Sequence, residues 1–302
     1  MSAPSGPSSA AADWRLDRGA LRRAFDRASA GYDAAAVLQA RVRQELLTRL
    51  ELVRLAPRVV LDLGCGTGHG AQALKRRFPR ATVIALDLAP GMLRETRRRS
   101  RWLRRIERVC ADACRLPLAD ASIDLVYSNL MLQWCDPPDP AIAEMRRVLK
   151  PEGLVSFSTF GPDTLRELRA AWAAADAGSH VSGFLDMHDL GDALARAGLA
   201  EPVLDVERIT LTYADVRGLA RDLKAIGAHN ATVARQRGLT GRARWQAMTQ
   251  AYEAYRRDGR LPASYEIVYA VAWGASTRPH AAHPGGETRI PVSAIGRRGP
   301  RA

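Results

Sequence analysis

The chain has 302 residues, of which 47% are hydrophobic and 25% are charged. This composition agrees with a soluble enzyme and is sufficient for one large domain with an elaborated lid. No apolar run approaches the roughly 20 residues that span a bilayer, so we expect no residence in a membrane. The formal net charge of +13 requires either an anionic partner or a solvated, arginine-rich surface.

Nucleic acid is the first anionic partner to consider for so basic a chain. The densest basic run, residues 94–105, is predicted to lie on a helix away from the expected substrate mouth. No recognisable nucleic-acid-binding motif accompanies this run, so we expect no nucleic-acid partner. The run is interpreted as a solvated helix face or as a docking site for an acidic protein.

The two ends of the chain differ from its middle. Residues 1–14 are rich in Ser, Ala and Pro but lack the basic start and apolar stretch of a signal peptide, and we expect them to be disordered. Residues 275–302 are rich in Gly, Pro and Arg, which predicts a flexible basic tail. The folded domain should therefore cover residues 15–274. Its first segment, residues 16–55, has the periodicity of two helices broken near Gly31.

An apolar strand then runs into a glycine-rich turn, with the sequence VVLDLGCGTG over residues 59–68. Gly64, Gly66 and Gly68 let the backbone approach a ligand closely. The helix predicted to follow, about residues 71–78, points its N-terminus into the same crevice. The turn therefore predicts a nucleotide-binding site.

Two residues beside this turn distinguish between nucleotide classes. The dinucleotide fingerprint requires a glycine where this chain has His69, which argues against NAD. Asp62, just before the first glycine, would repel a pyrophosphate. The same carboxylate suits the ammonium group of a nucleoside that carries an amino acid, such as S-adenosylmethionine.

Polar residues also end the next three predicted strands. Asp87 follows the second strand at about the interval at which an acidic residue meets ribose hydroxyls. Asp112 follows the third strand and can accept from an adenine amino group, while the backbone of Ala113 contacts the ring. Asn129 ends the fourth strand. Taken singly, Asp112 or Asn129 is equally typical of a helix cap or a turn.

The remaining pattern predicts an α/β fold. Strands near Val59, Val83, Val109, Val126 and Val155 alternate with helical patterns, which indicates a parallel, doubly wound, Rossmann-like sheet. Helices are predicted after Pro162 and over residues 187–197, with a sixth strand at residues 203–211 and a seventh at 265–273. An insertion at about residues 213–262, with helical patterns at 215–226 and 241–257, should form a lid together with the N-terminal helices.

The four cysteines, Cys65, Cys110, Cys114 and Cys135, lack paired metal-ligand spacing. We expect free thiols and no metal site. This usage suits a reducing compartment, and the predicted location is the cytoplasm.

The chain resembles the class I S-adenosylmethionine-dependent methyltransferases. The resemblance rests on residues 62–68 (DLGCGTG), 87–93 (DLAPGML) and 149–153 (LKPEG). It implies S-adenosyl-L-methionine as the cofactor, and it adds Leu88 and Met92 to the residues that would bind it.

The flanking segments narrow the resemblance to the malonyl-acyl-carrier-protein O-methyltransferases of biotin synthesis. A sister group, the complex I assembly factors that hydroxylate an arginine, shares some of these segments. That group lacks a basic residue at the place of Arg221, so the presence of Arg221 favours the carboxyl methyltransferases. The matching segments are residues 25–32 (FDRASAGY), 128–135 (SNLMLQWC), 160–165 (FGPDTL) and 221–229 (RDLKAIGAH).

Methyl transfer to a carboxylate needs no general base, because a carboxylic acid with a pKa near 4 is already ionised at neutral pH. It needs an anchor for one carboxylate oxygen. Arg221 is the first candidate, since a guanidinium can hold a carboxylate through two hydrogen bonds, although a salt bridge within the lid is the alternative role. Tyr32 is the second candidate, or else an aromatic contact between helices. His229 is a weaker third candidate, because a histidine near a helix end more often caps or packs.

The resemblance thus implies methylation of the free carboxylate of malonyl-acyl-carrier protein, an acidic partner, with malonyl-CoA accepted less well. The product would be a methyl ester that enters pimeloyl synthesis for biotin. Three alternatives stay open: a methyltransferase acting on a quinone or another small acid, an arginine hydroxylase of the assembly-factor type, and a noncatalytic or nucleic-acid-binding role driven by the basic surface.

Overall fold

The computed structural model describes residues 16–100, 105–176, 183–228 and 241–275. The predictions for residues 1–14, for the tail from residue 276 onward and for His229 lie outside the described residues. The described residues form one seven-stranded sheet with helices on both of its faces. Within these ranges, every helix is too short or too polar to cross a bilayer.

The strands are β1 (Val59–Leu63), β2 (Thr82–Asp87), β3 (Glu107–Cys110), β4 (Ile123–Asn129), β5 (Leu149–Phe160), β6 (Leu199–Tyr213) and β7 (Leu261–Gly274). The helices are α1 (Arg18–Ala28), α2 (Tyr32–Ala35), α3 (Val37–Arg49), α4 (His69–Arg77), α5 (Pro90–Arg99), α6 (Asp139–Val148), α7 (Arg166–Ala175), α8 (Met187–Arg196), α9 (Val216–Ala225) and α10 (Arg242–Glu253). Two 3₁₀ helices, Leu50–Leu52 and Leu132–Trp134, complete the set.

The strand order is β3-β2-β1-β4-β5-β7-β6. The first five of these strands are parallel, which confirms the prediction for them. The sheet as a whole is mixed, because β7 pairs antiparallel with both β5 and β6. The last two strands are also longer than predicted and pair from Leu199 opposite Gly274 to Tyr213 opposite Leu261. Their side-chain alternation predicts strands but does not encode their direction.

The sheet is covered on both faces, and β1 shows how its sequence achieves this. Successive side chains of a strand point to opposite faces, so Val60 packs in one hydrophobic cluster and Leu61 and Leu63 in the other. The first cluster includes apolar residues of α3, α4, α7 and α10, and the second includes those of α6 and α8. All three β1 residues are fully buried, as expected for a strand covered on both sides.

The N-terminal segment forms three helices rather than the two predicted. The predicted break near Gly31 is present, but α2 forms a separate short turn between α1 and α3. Asp17 caps α1, since the Ala20 backbone N–H donates to its Oδ1 at 2.9 Å. The Phe25 ring of α1 meets the Trp134 ring edge-on, with centroids 5.3 Å apart. This contact holds α1 over the carboxyl ends of the parallel strands.

The predicted insertion between β6 and β7 contains α9 and α10, and the two helices have different surroundings. Helix α9 packs on α2, and a Cβ added to Gly227, just beyond its end, would lie 3.2 Å from the Phe25 ring. Helix α10 packs instead on α7, with the rings of Trp172 and Trp245 6.3 Å apart. Only α9 therefore joins the N-terminal helices above the strand ends.

Candidate active site

The glycine turn after β1 uses left-handed backbone conformations. Gly64, Gly66 and Gly68 have φ angles of 73°, 53° and 87°, a region that side chains disfavour. A Cβ on Gly64 would lie 2.1 Å from the Met131 side chain, and one on Gly68 would lie 2.7 Å from Thr96. A Cβ on Gly66 would meet nothing within 4 Å. The Gly66 backbone is therefore open towards a ligand.

Two cavities lie against this turn, and Gly64, Gly66 and Asn129 line both of them. The β1 cavity, of about 920 Å³, is also lined by Asp33, Gln39, Arg43, Asp62 and Thr67. The β2–β3 cavity, of about 750 Å³, is also lined by Asp87, Leu88, Met92, Asp112 and Ala113. The sequence-predicted cofactor residues thus meet around one turn. The exception is Gly68, which immediately precedes α4 and lies against Thr96 of α5.

Asp62 carries a buried carboxylate with unused hydrogen-bonding capacity. The residue is 2% exposed, and its Oδ2 has no hydrogen-bond partner. Burial, opposed by the backbone of Ala71 and assisted by the nearby Asp87 carboxylate, raises the pKa of Asp62 to about 7. Room for this carboxylate depends on Gly70, where a Cβ would lie 2.8 Å from Oδ2. An unpaired buried acid is costly, so the site is suited to a cationic ligand.

Asp87 links the turn to the next strand. Its Oδ2 accepts from the Gly66 backbone N–H at 2.9 Å, and its Oδ1 accepts from the Ala89 backbone N–H at 2.8 Å. Burial nevertheless raises the pKa of Asp87 to about 6. Each carboxylate oxygen retains a lone pair for a hydroxyl donor in the β2–β3 cavity.

Asp112 and Asn129 both have protein partners. Arg18 of α1 donates to Asp112 Oδ2, and the Cys114 backbone N–H donates to Oδ1 at 2.9 Å. Asn129 donates through Nδ2 to the Gln39 carbonyl at 3.1 Å and accepts at Oδ1 from the Ser158 hydroxyl at 3.1 Å. The pairing of Arg18 with Asp112 was not predicted, because the two residues are far apart in the sequence.

A third, mostly apolar cavity of about 1080 Å³ lies beside the first two; we call it the lid cavity. Its lining comes from α1 to α3, the 3₁₀ helix Leu132–Trp134, α7, α9 and the strands β5 to β7, and it includes Phe25, Gln39, Trp134, Phe160, Leu168, Tyr213, Asp222, Leu223 and Tyr265. Burial raises the pKa of Tyr213 to about 12, and the nearby Asp222 carboxylate contributes. The Tyr265 phenol lies next to Tyr213, and burial raises its pKa well above the usual value.

Tyr32 lies where the three cavities meet, since it lines all of them. Burial raises the pKa of its phenol well above the usual value, and the neighbouring Asp87 and Asp33 carboxylates add to the effect. The hydroxyl therefore stays protonated at neutral pH and can donate a hydrogen bond. Gln39 lines both the β1 and the lid cavities, and its buried Oε1 has no partner.

Arg221, the other predicted anchor, is exposed on α9. The lining of the lid cavity comes instead from its neighbours Asp222, Leu223 and Ile226. Sequence reasoning also missed Arg43, a cation on α3 that lines the β1 cavity and lowers the pKa of Asp62. Arg43 is three residues from the buried Leu46 on α3, and this spacing does not distinguish a residue that faces a site from one that faces solvent. No signal in the sequence therefore identified it.

Comparisons with known proteins bear on this arrangement. A family model described as a methyltransferase domain matches residues 61–157. A curated protein of Methylovorus sp. is 55% identical over 87% of this chain and 91% of its own length, and one of Laribacter hongkongensis is 55% identical with the same coverage. Both are named malonyl-[acyl-carrier protein] O-methyltransferase.

This chain belongs to the malonyl-[acyl-carrier protein] O-methyltransferase family. A more distant member of that family, from Coxiella burnetii, is 37% identical over 94% of the chain and 98% of its own length. The similarity thus includes the lid segments as well as the sheet.

Solved structures show the same methyltransferase fold at low sequence identity. A putative methyltransferase from Bacillus halodurans has a TM-score of 0.55 and 18% identity, covering 77% of this chain and all of its own. A phosphoethanolamine N-methyltransferase from Haemonchus contortus, in complex with S-adenosyl-L-methionine, has a TM-score of 0.51 and 17% identity. It covers 83% of this chain and 57% of its own.

Proposed function

We propose that this protein transfers the methyl group of S-adenosyl-L-methionine to the free carboxylate of malonyl-acyl-carrier protein, with malonyl-CoA as a poorer acceptor. Family membership supports the reaction class. The observation that carries the proposal is the junction at Tyr32, where two cavities around the glycine turn meet a separate apolar cavity. A cofactor on one side and an acceptor on the other would approach each other there.

The residues around the glycine turn fit this cofactor. The unpartnered Oδ2 of Asp62 would accept from its ammonium group, and Arg43 would pair with its carboxylate. Asp87 would accept from the ribose hydroxyls, and the Asp112 carboxylate and Ala113 backbone would contact the adenine, between Leu88 and Met92. When bound, the cofactor supplies a methyl group on a positively charged sulfur. The open side of Gly66 leaves room for close approach of the backbone.

The lid cavity suits the acceptor because its lining is mostly apolar. A carboxylate that enters it loses its water, which would otherwise screen it from the cationic cofactor. The protonated Tyr32 hydroxyl would donate to one carboxylate oxygen, and the Nε2 amide of Gln39, which lines the same cavity, would donate a second hydrogen bond. These contacts orient the acceptor while leaving a lone pair for attack. No side chain needs to remove a proton, because the acceptor is already ionised.

The remaining predicted residues have other assignments. We assign Arg221, exposed on α9, to binding the carrier rather than the reacting carboxylate. His229 stays the third candidate for anchoring the carboxylate, as predicted from the sequence. The methyl ester would mask the negative charge of a short dicarboxylate, so that apolar fatty-acid enzymes can extend it toward pimeloyl for biotin.

The proposal is tested by incubating the protein with labelled S-adenosyl-L-methionine and malonyl-acyl-carrier protein, followed by intact-protein mass spectrometry. We expect label on the carrier and a mass gain of one CH₂ unit, both removed by mild ester hydrolysis. Acetyl-acyl-carrier protein, which lacks the free carboxylate, is the matched control and should gain nothing. A gain of one oxygen atom on a protein arginine would support the hydroxylase instead. Faster methylation of a quinone or of another small acid would refute the carrier assignment.

A further inference from the structure

Helix α9 presents different chemistry on its two faces. Side chains that recur every three or four residues share one face of a helix. Val216 and Leu219 are buried, and Leu223 lines the lid cavity. Arg217, Arg221 and Lys224 follow the same spacing on the opposite side, and all three are exposed. We call this basic side the α9 outer face.

The cations of the α9 outer face are available to a partner. In the part of the chain that the structure describes, none of the three has an acidic side chain within ion-pair distance. Other surface arginines are paired with nearby acidic residues, as Arg98 is with Glu95 on α5 and Arg256, just beyond α10, is with Glu253. Three unpaired like charges within about 10 Å of helix repel one another weakly, and an anionic surface would relieve this repulsion.

The location of α9 relates this face to the site. Its inner side lines the lid cavity through Asp222, Leu223 and Ile226. Helix α9 also packs on α2, which carries Tyr32, and Gly227 beyond its end contacts Phe25 of α1. A partner on the outer face is therefore separated from the acceptor cavity by the thickness of one helix, about 10 Å.

We propose that the α9 outer face docks an acidic carrier protein and delivers its acyl group to the lid cavity; this rests on the proposed function. Charge complementarity identifies the partner as anionic, and the adjacent acceptor cavity identifies it as the carrier of the acceptor. Nucleic acid fits less well, because the face has no aromatic side chain on which a base could stack. The rival basic surface is on α5, which packs beside β2 and β3, while α9 contacts β6 at the opposite edge of the sheet.

The test compares two double charge reversals. Arg217→Glu with Lys224→Glu changes the α9 outer face, and Arg94→Glu with Arg97→Glu makes the same change in net charge on α5, where both arginines are exposed. Each variant and the wild type are assayed with malonyl-acyl-carrier protein and with malonyl-N-acetylcysteamine, which keeps the thioester and carboxylate but lacks the protein and phosphate. The α9 variant should raise the KM for the carrier roughly tenfold at low salt. Its kcat and KM for the small thioester should not change.

The α9 effect should shrink at about 1 M salt, where screening extends over only about 3 Å. An unchanged KM for the carrier, an equal loss on both substrates, or a loss confined to the α5 variant would each overturn the proposal. Fluorescence anisotropy with labelled, unloaded carrier separates docking from chemistry. Weaker binding by the α9 variant supports docking even if the wild type methylates neither substrate, which would refute only the proposed function. Tighter wild-type binding to a short oligonucleotide than to the carrier would refute the partner.

Discussion

Replacing Asp62 by Asn should have opposite effects on the stability of the unliganded protein and on cofactor binding. The pKa of Asp62 rises from 3.8 to about 7 on folding because its carboxylate is buried with an unpartnered oxygen. This difference in pKa costs the folded state about 4 kcal/mol above pH 8, at about 1.4 kcal/mol for each unit. The substitution removes this cost, but the buried Asn amide has unpaired donors that themselves cost about 2 kcal/mol. The variant should therefore be more stable by about 2 kcal/mol.

The pH dependence of this gain follows from the sign of the change. Since the folded pKa lies above the unfolded one, protonation of Asp62 favours folding. Its contribution is complete below about pH 4 and is lost as the pH rises through about 7. The Asn variant cannot titrate there. Its advantage in the free energy of unfolding should therefore be largest at pH 8, should vanish near about pH 5 and should reverse towards pH 4, where only the cost of the unpaired Asn donors remains.

Two measurements check this reasoning. Thermal unfolding of the unliganded proteins at pH 8 should give a Tm roughly 5 °C higher for Asp62→Asn than for the wild type. Calorimetric titration with S-adenosylhomocysteine, which retains the ammonium group, should show affinity roughly 100-fold weaker in the variant, because one member of a buried ion pair is lost. A variant that is less stable at pH 8, or that binds within about threefold of the wild type, would refute the assignment of Asp62.

Three further substitutions address other parts of the site. Tyr32→Phe removes the hydroxyl at the junction of the cavities and should lower kcat on malonyl-acyl-carrier protein roughly 30-fold. Calorimetry should show unchanged affinity for S-adenosylhomocysteine, and an unaltered kcat would contradict the role of Tyr32. Gly70→Ala places a Cβ 2.8 Å from Asp62 Oδ2 and should weaken S-adenosylhomocysteine binding about tenfold, whereas full affinity would show that Asp62 does not bind the ligand. Arg43→Ala should raise the KM for S-adenosyl-L-methionine about tenfold without changing that for the malonyl substrate, and Arg43→Lys should recover part of the loss; equal changes in both KM values would count against a cofactor contact.

The five parallel strands and the glycine turn were predictable because their signals are local. Short apolar runs in the sequence identify β1, β2, β4 and β5, and the positive φ angles of Gly64 and Gly66 occur at the expected glycines. Polar residues that follow such strands must converge, since the carboxyl ends of parallel strands share one edge. Asp62, Asp87, Asp112 and Asn129 accordingly surround one turn.

The rest depends on contacts between distant parts of the chain. The antiparallel direction of β7 is set by the path of the insertion before it, which strand periodicity does not encode. Arg18 meets Asp112 only because α1 lies over the strand ends. Which side of α9 faces the cavity follows from its packing on α2. The sequence therefore suggested Arg221 as the carboxylate anchor but could not show that it lies on the exposed side of the helix.

Phe25 of α1 and Gly227, just beyond α9, lie beside each other although they are far apart in the sequence, and this proximity has an evolutionary consequence. The groups proposed to hold the cofactor come largely from one continuous stretch, residues 59–129, whereas the walls of the lid cavity are drawn from segments separated by most of the chain. Mutations in the segments that line the lid cavity can change which acceptor is bound while the cofactor site in residues 59–129 is unchanged. New acceptor specificities can therefore evolve on this fold without changes to the residues proposed to bind the methyl donor.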